Sequence, residues 1–267
     1  MTTEDYYDEK STTYDALFKM LYYRIYDTIT WKYLEPYLPK SPGAVVLDAA
    51  GGTGRWTIRM AQTGCKVVLI DNSEGMLKAA AKKTKTEGLQ DRIVVRKADI
   101  TKTDYPDEAF DLVLCEHALF LFKNPTVLLK EFRRILKKQA TLIISAQNRY
   151  FMSLSSISGK PSHDNLERAC ELLLNREHHC LSENGQVNVY TWTPDEFRTM
   201  LQEAGFRVEK IIGKVVTMPL RIRKETYARS DYPQDLYDKI LEFELAMCER
   251  PDALGLAGHF QAIARKT

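Results

Sequence analysis

The sequence has little of what marks the extreme classes of protein. Its 267 residues include five cysteines: Cys65, Cys115, Cys170, Cys180 and Cys248. They are odd in number, scattered, and form no C-x-x-C pair. That argues against a disulfide framework or a metal site and for reduced thiols in a cytoplasmic protein. No apolar run approaches the roughly 18 residues that a membrane span requires. The opening Met1-Thr2-Thr3-Glu4-Asp5 is acidic and polar, unlike a secretory signal. Excess charge is also lacking. Thirty-eight Lys and Arg face 36 Asp and Glu, a net charge of +2, so neither nucleic acid nor a membrane is expected as a partner. The basic run Arg221-Ile222-Arg223-Lys224 reads as a solvated loop. Two phosphate-binding signatures are missing as well: no GxGxxG follows the first strand, and no GxxxxGK[ST] occurs.

What is present supports a globular α/β protein. Apolar residues make up 44% and charged residues 28%, enough for a sizeable core and too patterned for disorder. Residues 12–34 carry Tyr14, Leu17, Phe18, Leu21, Ile25 and Ile29 at helical spacing, and Pro36, Pro39 and Pro42 then punctuate the chain. Short apolar runs follow at 45–47, 66–70, 93–95, 110–114 and 141–144. Helical patterns separate them, notably 55–62, a helix capped by Ser73, and 127–137. Five strands alternating with helices predict a doubly wound parallel sheet with helices on both faces. Residues 148–190 interrupt the pattern with a Ser-rich stretch at 153–158 and a helix near 164–177. The pattern resumes with a helix capped by Thr193, a strand over 206–212, a helix over 234–248 and an alternating strand over 259–265. The expected organisation is one domain. It has a helical cap at 1–40, a cofactor-binding core at 41–147, a lid-like substrate insertion at 148–190 and the rest of the sheet at 191–267.

Strand C-terminal ends are where open α/β sheets bind ligands, and four of them carry candidate groups. The loop Gly51-Gly52-Thr53-Gly54 follows the first strand, and its glycines let backbone approach a ligand. Asp71 ends the second strand, where a carboxylate can accept from both hydroxyls of a ribose. Asp99 follows the third. Cys115-Glu116-His117 closes the fourth. The loop alone is weak evidence, but loop and acids in register with one sheet edge form a nucleotide-cofactor constellation.

These segments resemble class I S-adenosylmethionine-dependent methyltransferases. Leu47-Asp48-Ala49-Ala50-Gly51-Gly52-Thr53-Gly54 is similar to their first motif, especially the ubiquinone/menaquinone-biosynthesis type. Asp71-Asn72-Ser73-Glu74-Gly75-Met76-Leu77, Ala98-Asp99-Ile100, Phe110-Asp111-Leu112-Val113 and the region from Trp192 to Phe206 resemble later ones. The resemblance implies a Rossmann-like seven-stranded sheet with an antiparallel last strand, and S-adenosylmethionine as cofactor, with S-adenosylhomocysteine as product. It assigns Asp48 and the backbone of Ala49, Ala50, Gly51 and Gly52 to the methionine portion, with Gly54 completing the loop. It gives Asp71 the ribose and Asn72, Met76 and Ile100 the adenine. Asp99, beside Ala98, accepts from the adenine amino group, and the Cys115 backbone meets the methionine end. Met76 and Ile100 fit plain core packing equally well. Two positions depart from the pattern. Ala50 replaces a glycine, which requires an ordinary negative φ, and Lys137-Lys138-Gln139-Ala140 replaces the usual turn before the fifth strand.

Methyl transfer is an in-line displacement in which alignment can supply about 7–11 kcal/mol of the barrier. A base is needed only if the acceptor loses a proton. His117, just past the fourth strand, is the candidate for contacting the acceptor. His163 and the pair His178-His179 could reach a substrate if 148–190 closes as a lid. Adjacent histidines on an extended segment face opposite ways, so no metal site is expected. The tyrosines Tyr14, Tyr22 and Tyr23 could close over the cofactor, since aromatic faces attract a sulfonium, though a buried stripe of core is the favoured reading for most of them. No [DN]-P-P-[FY] motif, RNA-binding module or basic tail is present, which points to a small-molecule acceptor. An RNA or protein methyltransferase and a non-catalytic cofactor-binding module are the alternatives. No oligomeric state is implied.

Overall fold

The computed structural model describes residues 2–157, 162–182, 185–216 and 230–267. The basic run at 221–224 and the end of the Ser-rich stretch at Ser158 lie outside the described residues.

Seven strands form one sheet: β1 (Val45–Ala49), β2 (Lys66–Asp71), β3 (Ile93–Lys97), β4 (Phe110–Cys115), β5 (Leu136–Gln147), β8 (Phe206–Lys214) and β9 (His259–Lys266). Their order is β3-β2-β1-β4-β5-β9-β8. β1 to β5 run parallel, and β9 pairs antiparallel with both β5 and β8. The chain therefore reverses direction of growth at β1/β4, the switch point where such sheets bind ligands. Strand alternation splits the core in two. Leu47, Val113 and Leu142 join α6 (Pro125–Ile135) and α9 (Pro194–Glu203) on one face. Val46, Leu112 and Ile143 join α3 (Leu21–Leu34), α4 (Arg55–Gln62) and α10 (Gln234–Cys248) on the other. Between β2 and β3 runs α5 (Glu74–Thr86), whose N-cap Ser73 accepts from the Met76 N–H.

Several expectations shift. The helix expected over 12–34 is broken into α2 (Tyr14–Leu17) and α3. At the break Phe18 turns back onto the Tyr14 and Tyr23 rings, under the Arg55 guanidinium 3.6 Å away. Ring and cation–π contacts there outweigh helix continuation. A further helix, α1 (Thr3–Lys10), starts at a Thr2/Asp5 capping box. β5 begins at Leu136, so Lys137 belongs to the strand and not to the preceding helix. The segment 137–140 is absorbed as a bulge, with Phe110 opposite Leu136 but Leu112 opposite Thr141, and with Gln139 at φ 59°. The segment 148–190 holds α7 (Arg149–Ser156), α8 (His163–Leu174) and a hairpin of β6 (Glu177–Ser182) with β7 (Gly185–Tyr190) that the sequence pattern did not reveal. Among the described residues no helix is long and apolar enough to cross a membrane.

Candidate functional site

Two cavities lie along the edge formed by the C-terminal ends of the parallel strands. The first, about 390 Å³, runs across the ends of β3, β2, β1 and β4. It meets Ala98, Asp99 and Ile100 after β3, then Asp71, Asn72 and Met76, then Ala50 and Gly52 after β1, then Glu116 and His117 after β4. Thr3, Glu4, Tyr7 and Tyr14 from α1 and α2 cover it. Nine of the anticipated positions thus share one wall. Asp48, Ala49, Gly51, Gly54 and Cys115 do not line it.

Those five shape the loop from behind. Asp48 is buried, and its Oδ2 accepts from Thr57 Oγ1 at 2.5 Å. Burial pushes its carboxyl up to about 6. Cys115 is fully enclosed, and burial raises its thiol far above the usual range. At Gly51 a Cβ would sit 2.7 Å from Leu69 Cγ and 2.9 Å from Asp48 Cγ, so no side chain fits. Ala50 lies at φ 57°, against the expected negative φ. An L-residue there costs roughly 1–2 kcal/mol. The turn is held by the hydrogen bond from the Gly51 N–H to the Ile70 carbonyl.

Asp71 joins the loop to its own helix. Its Oδ2 accepts from the Gly52 N–H and its Oδ1 from the Ser73 N–H, both at 2.9 Å. Burial raises its carboxyl, and these backbone donors oppose the shift. Each oxygen keeps acceptor capacity toward the cavity. On Asp99, Oδ1 takes both donors of Thr101.

The second cavity, about 560 Å³, adjoins the first and shares Tyr7, Tyr14 and His117 with it. Its walls are rings: Tyr6, Tyr7, Tyr14, Phe18, Tyr23 and Phe120. Tyr6, Tyr7, Tyr14, Phe18 and Tyr23 follow one another edge to face, with centroids 5.1–6.2 Å apart. Tyr14 and Tyr23 therefore line a cavity, which overturns the expectation of plain core for them. Tyr22 OH lies 3.3 Å from His259 Nδ1. Polar groups enter from His117, Gln147 and His259. Gln147 ends β5 and His259 starts β9, and antiparallel pairing sets them directly opposite one another. Sequence reasoning missed both, along with Tyr7, and it placed Glu116 at the strand end without giving it a role. Their signal is position: each but Tyr7 sits at the ligand-bearing end of a strand.

His117 stands between the cavities at φ 56°, its N–H donating to Ser145 Oγ at 3.0 Å. Its ring lies 4.6 Å from Tyr26 and 5.1 Å from His259. Burial holds its pKa well below the ordinary value, and the neighbouring His259, Arg55 and Lys214 add to the effect. His259 is likewise pushed down to about 3 by burial. Both rings are neutral at physiological pH, and His117 Nε2 is enclosed without a partner.

The described part of the expected lid contributes to neither cavity. Among the described residues, none from 148–190 lines either wall. His163 is exposed and faces Glu167, and His178 is buried 2.8 Å from Thr191 Oγ1. Among the described residues no cluster of three or more His, Cys, Asp or Glu could hold a metal ion.

Residues 47–144 match the methyltransferase domain family. Over 107 residues the chain is 36% identical to the ubiquinone/menaquinone biosynthesis C-methyltransferase of Hydrogenovibrio crunogenus, covering 39% of this chain and 42% of that protein. The chain thus spans less than half the length of that relative. It is 23% identical over 222 residues to the tRNA 5-carboxymethoxyuridine methyltransferase of Escherichia coli K12, covering 83% of this chain and 79% of that one. Among solved structures it is similar to an S-adenosylmethionine-dependent methyltransferase from Listeria monocytogenes, with a TM-score of 0.63 and 21% identity over 89% of this chain and 96% of that one. This last likeness carries the fold.

Proposed function

We propose that the chain is a class I S-adenosylmethionine-dependent methyltransferase, a reading supported by the methyltransferase-domain match over residues 47–144, and that it methylates a small-molecule acceptor held in the aromatic cavity. One observation carries this reading: a cofactor-sized cavity and a ring-walled cavity share Tyr7, Tyr14 and His117 as a common wall. When bound, S-adenosylmethionine supplies a methyl group on a sulfonium for in-line displacement. Asp71 orients the ribose, Ala98 to Ile100 with Asn72 and Met76 flank the adenine, and the Ala50–Gly52 backbone with the β4 end receives the methionine portion. Asp48, braced by Thr57, supports the loop from behind. Tyr7 and Tyr14 present ring faces that favour the sulfonium and exclude water. His117 accepts a hydrogen bond from the acceptor or donates one to it. A ring held neutral so far below its usual pKa is a weak base, so its part is alignment rather than proton removal. Among the described residues, the cover over both cavities comes from residues 3–23 rather than from 148–190. A cytoplasmic setting belongs to the same reading, supported by free thiols at Cys65, Cys115 and Cys248.

An RNA acceptor is the second reading, favoured by the coverage of the tRNA methyltransferase relative. The net charge of +2 and the ring-lined walls weigh against it. Labelled-methyl transfer into a host-cell extract separates the two. Label is expected in the fraction below about 1 kDa, where ligands of this cavity size fall. Label confined to RNA overturns the small-molecule reading. Cofactor binding without any methyl transfer supports a non-catalytic module.

A further inference from the structure

At the β4 end of the first cavity lies a carboxylate that the cofactor assignments above do not use. Glu116 is buried, and its two oxygens differ. Oε2 accepts from Tyr26 OH and from Lys214 Nζ, each at 2.8 Å. Oε1 is enclosed and has no partner. Lys214, the last residue of β8, is fully buried. It also donates to Thr30 Oγ1 at 3.2 Å and lies 3.9 Å from the Tyr26 ring centre. Three elements distant in sequence (α3, the end of β4 and the end of β8) thus converge to fix one carboxylate in the cavity wall.

A buried ion pair is costly, and well-packed apolar side chains would serve stability as well. An ionised oxygen left bare costs more than a neutral group would. The arrangement is therefore explained by a ligand cation that completes it. The topology says which. With ribose at Asp71 and adenine over the residues after β3, the amino-acid end of the cofactor falls at β1 and β4. The other carboxylates lining the cavity stand at the opposite end: Asp71 and Asp99 after β2 and β3, and Glu4 bound to Lys97. Asp48, which the family resemblance assigns to the methionine portion, lies behind the wall with Thr57.

Building on the methyltransferase reading, we infer that Glu116 is a cofactor-binding residue whose Oε1 accepts from the α-ammonium of the amino-acid end, with Lys214 and Tyr26 as the positioning residues that hold its carboxylate. The test is calorimetric and needs no knowledge of the acceptor. S-adenosylhomocysteine, its analogue lacking the α-amino group, and adenosine are titrated into the wild type, Glu116→Gln, and Glu116→Gln/Lys214→Met. The double variant removes both charges, so no buried ammonium is stranded. The wild type should prefer S-adenosylhomocysteine over the deamino analogue by about tenfold to a hundredfold, the range of one charge-assisted hydrogen bond. Either variant should bind the two alike and bind adenosine as the wild type does. A variant that keeps the preference, or a wild type that never shows it, overturns the assignment to Glu116. If the folded wild type binds no S-adenosylhomocysteine at all, the methyltransferase reading itself fails, which is a separate outcome.

Discussion

The floor and the roof of the paired cavities are built on different principles. The floor is made of strand ends from the buried sheet. β1, β2 and β4 bury most of their residues, and the loop after β1 is fixed by backbone donors to Asp71 and by the Asp48–Thr57 brace. The roof is α1 and α2, neither of which contains a single buried residue. It is held by polar latches and ring edges. Asp8 accepts from Ser73 Oγ and the Gly75 N–H, Asp15 accepts from Thr53 Oγ1 and pairs with Lys83, and the tyrosines touch edge to face. A region with few buried apolar contacts opens at low free energy. The difference teaches that, on the proposed function, cofactor geometry would be built into the well-buried half, while access and acceptor contact would fall to the half held by fewer buried contacts.

The largest effect expected from breaking the floor is at Asp71. Asp71→Ala removes the Gly52 and Ser73 tethers together with the proposed ribose contacts. With hydrogen bonds to a charged group worth about 1.5–3 kcal/mol each, affinity for S-adenosylmethionine should fall by about a hundredfold or more in calorimetry. A change within about threefold would remove Asp71 from the site and the floor from its role.

Next in size is the pH response of the floor. Burial raises the Asp48 carboxyl from 3.8 to about 6 in the folded protein. An acid with a raised folded pKa binds its proton more readily when folded. Its contribution therefore lowers stability as pH rises from about 4 to 6, by about 3 kcal/mol in all. Asp48→Asn should flatten that part of the stability curve, measured by urea unfolding at several pH values. An unaltered slope would assign the titration elsewhere.

Much of this floor was legible in the sequence, and the reason is local. Val45–Leu47 and Lys66–Ile70 are short apolar runs ended by Asp48 and Asp71, and glycines and acids at strand ends follow from chain geometry within a few residues. The groups that went unread depend on contacts remote in sequence. His259 faces Gln147 only because β9 inserts antiparallel beside β5. Lys214 reaches Glu116 across 98 positions. The helix break at Phe18 depends on Arg55, which nothing in the 12–34 pattern encodes. The conformation of Ala50 escaped for a subtler reason. An alanine in place of a glycine implies a negative φ, yet Ala50 takes the left-handed region as Gly52 and Gly54 do. Ala50→Gly tests this strain directly. It should stabilise the protein by about 1 kcal/mol, the left-handed penalty less the extra entropy of glycine. A destabilised variant in thermal unfolding would mean the methyl group packs more usefully than the turn is strained.

The smallest effect is the one that separates roof from floor most sharply. Asp8 latches α1 to the start of α5, and its hydrogen bonds from Ser73 and Gly75 lower its carboxyl below the usual value. A depressed acid contributes stability above its unfolded pKa of 3.8 and loses it as pH falls through the lower folded value. The roof should therefore loosen below about pH 4, in the direction opposite to Asp48. Because Asp8 is only half-buried, solvent screens its contribution to global unfolding and keeps it small. Local opening is the sensitive readout. Asp8→Ala should speed amide exchange in residues 3–17 at neutral pH while leaving β1 and β2 protected to the same degree. If exchange in the strands rises in step with α1, the two halves unfold as one unit, and the division between a fixed floor and a lifting roof is lost.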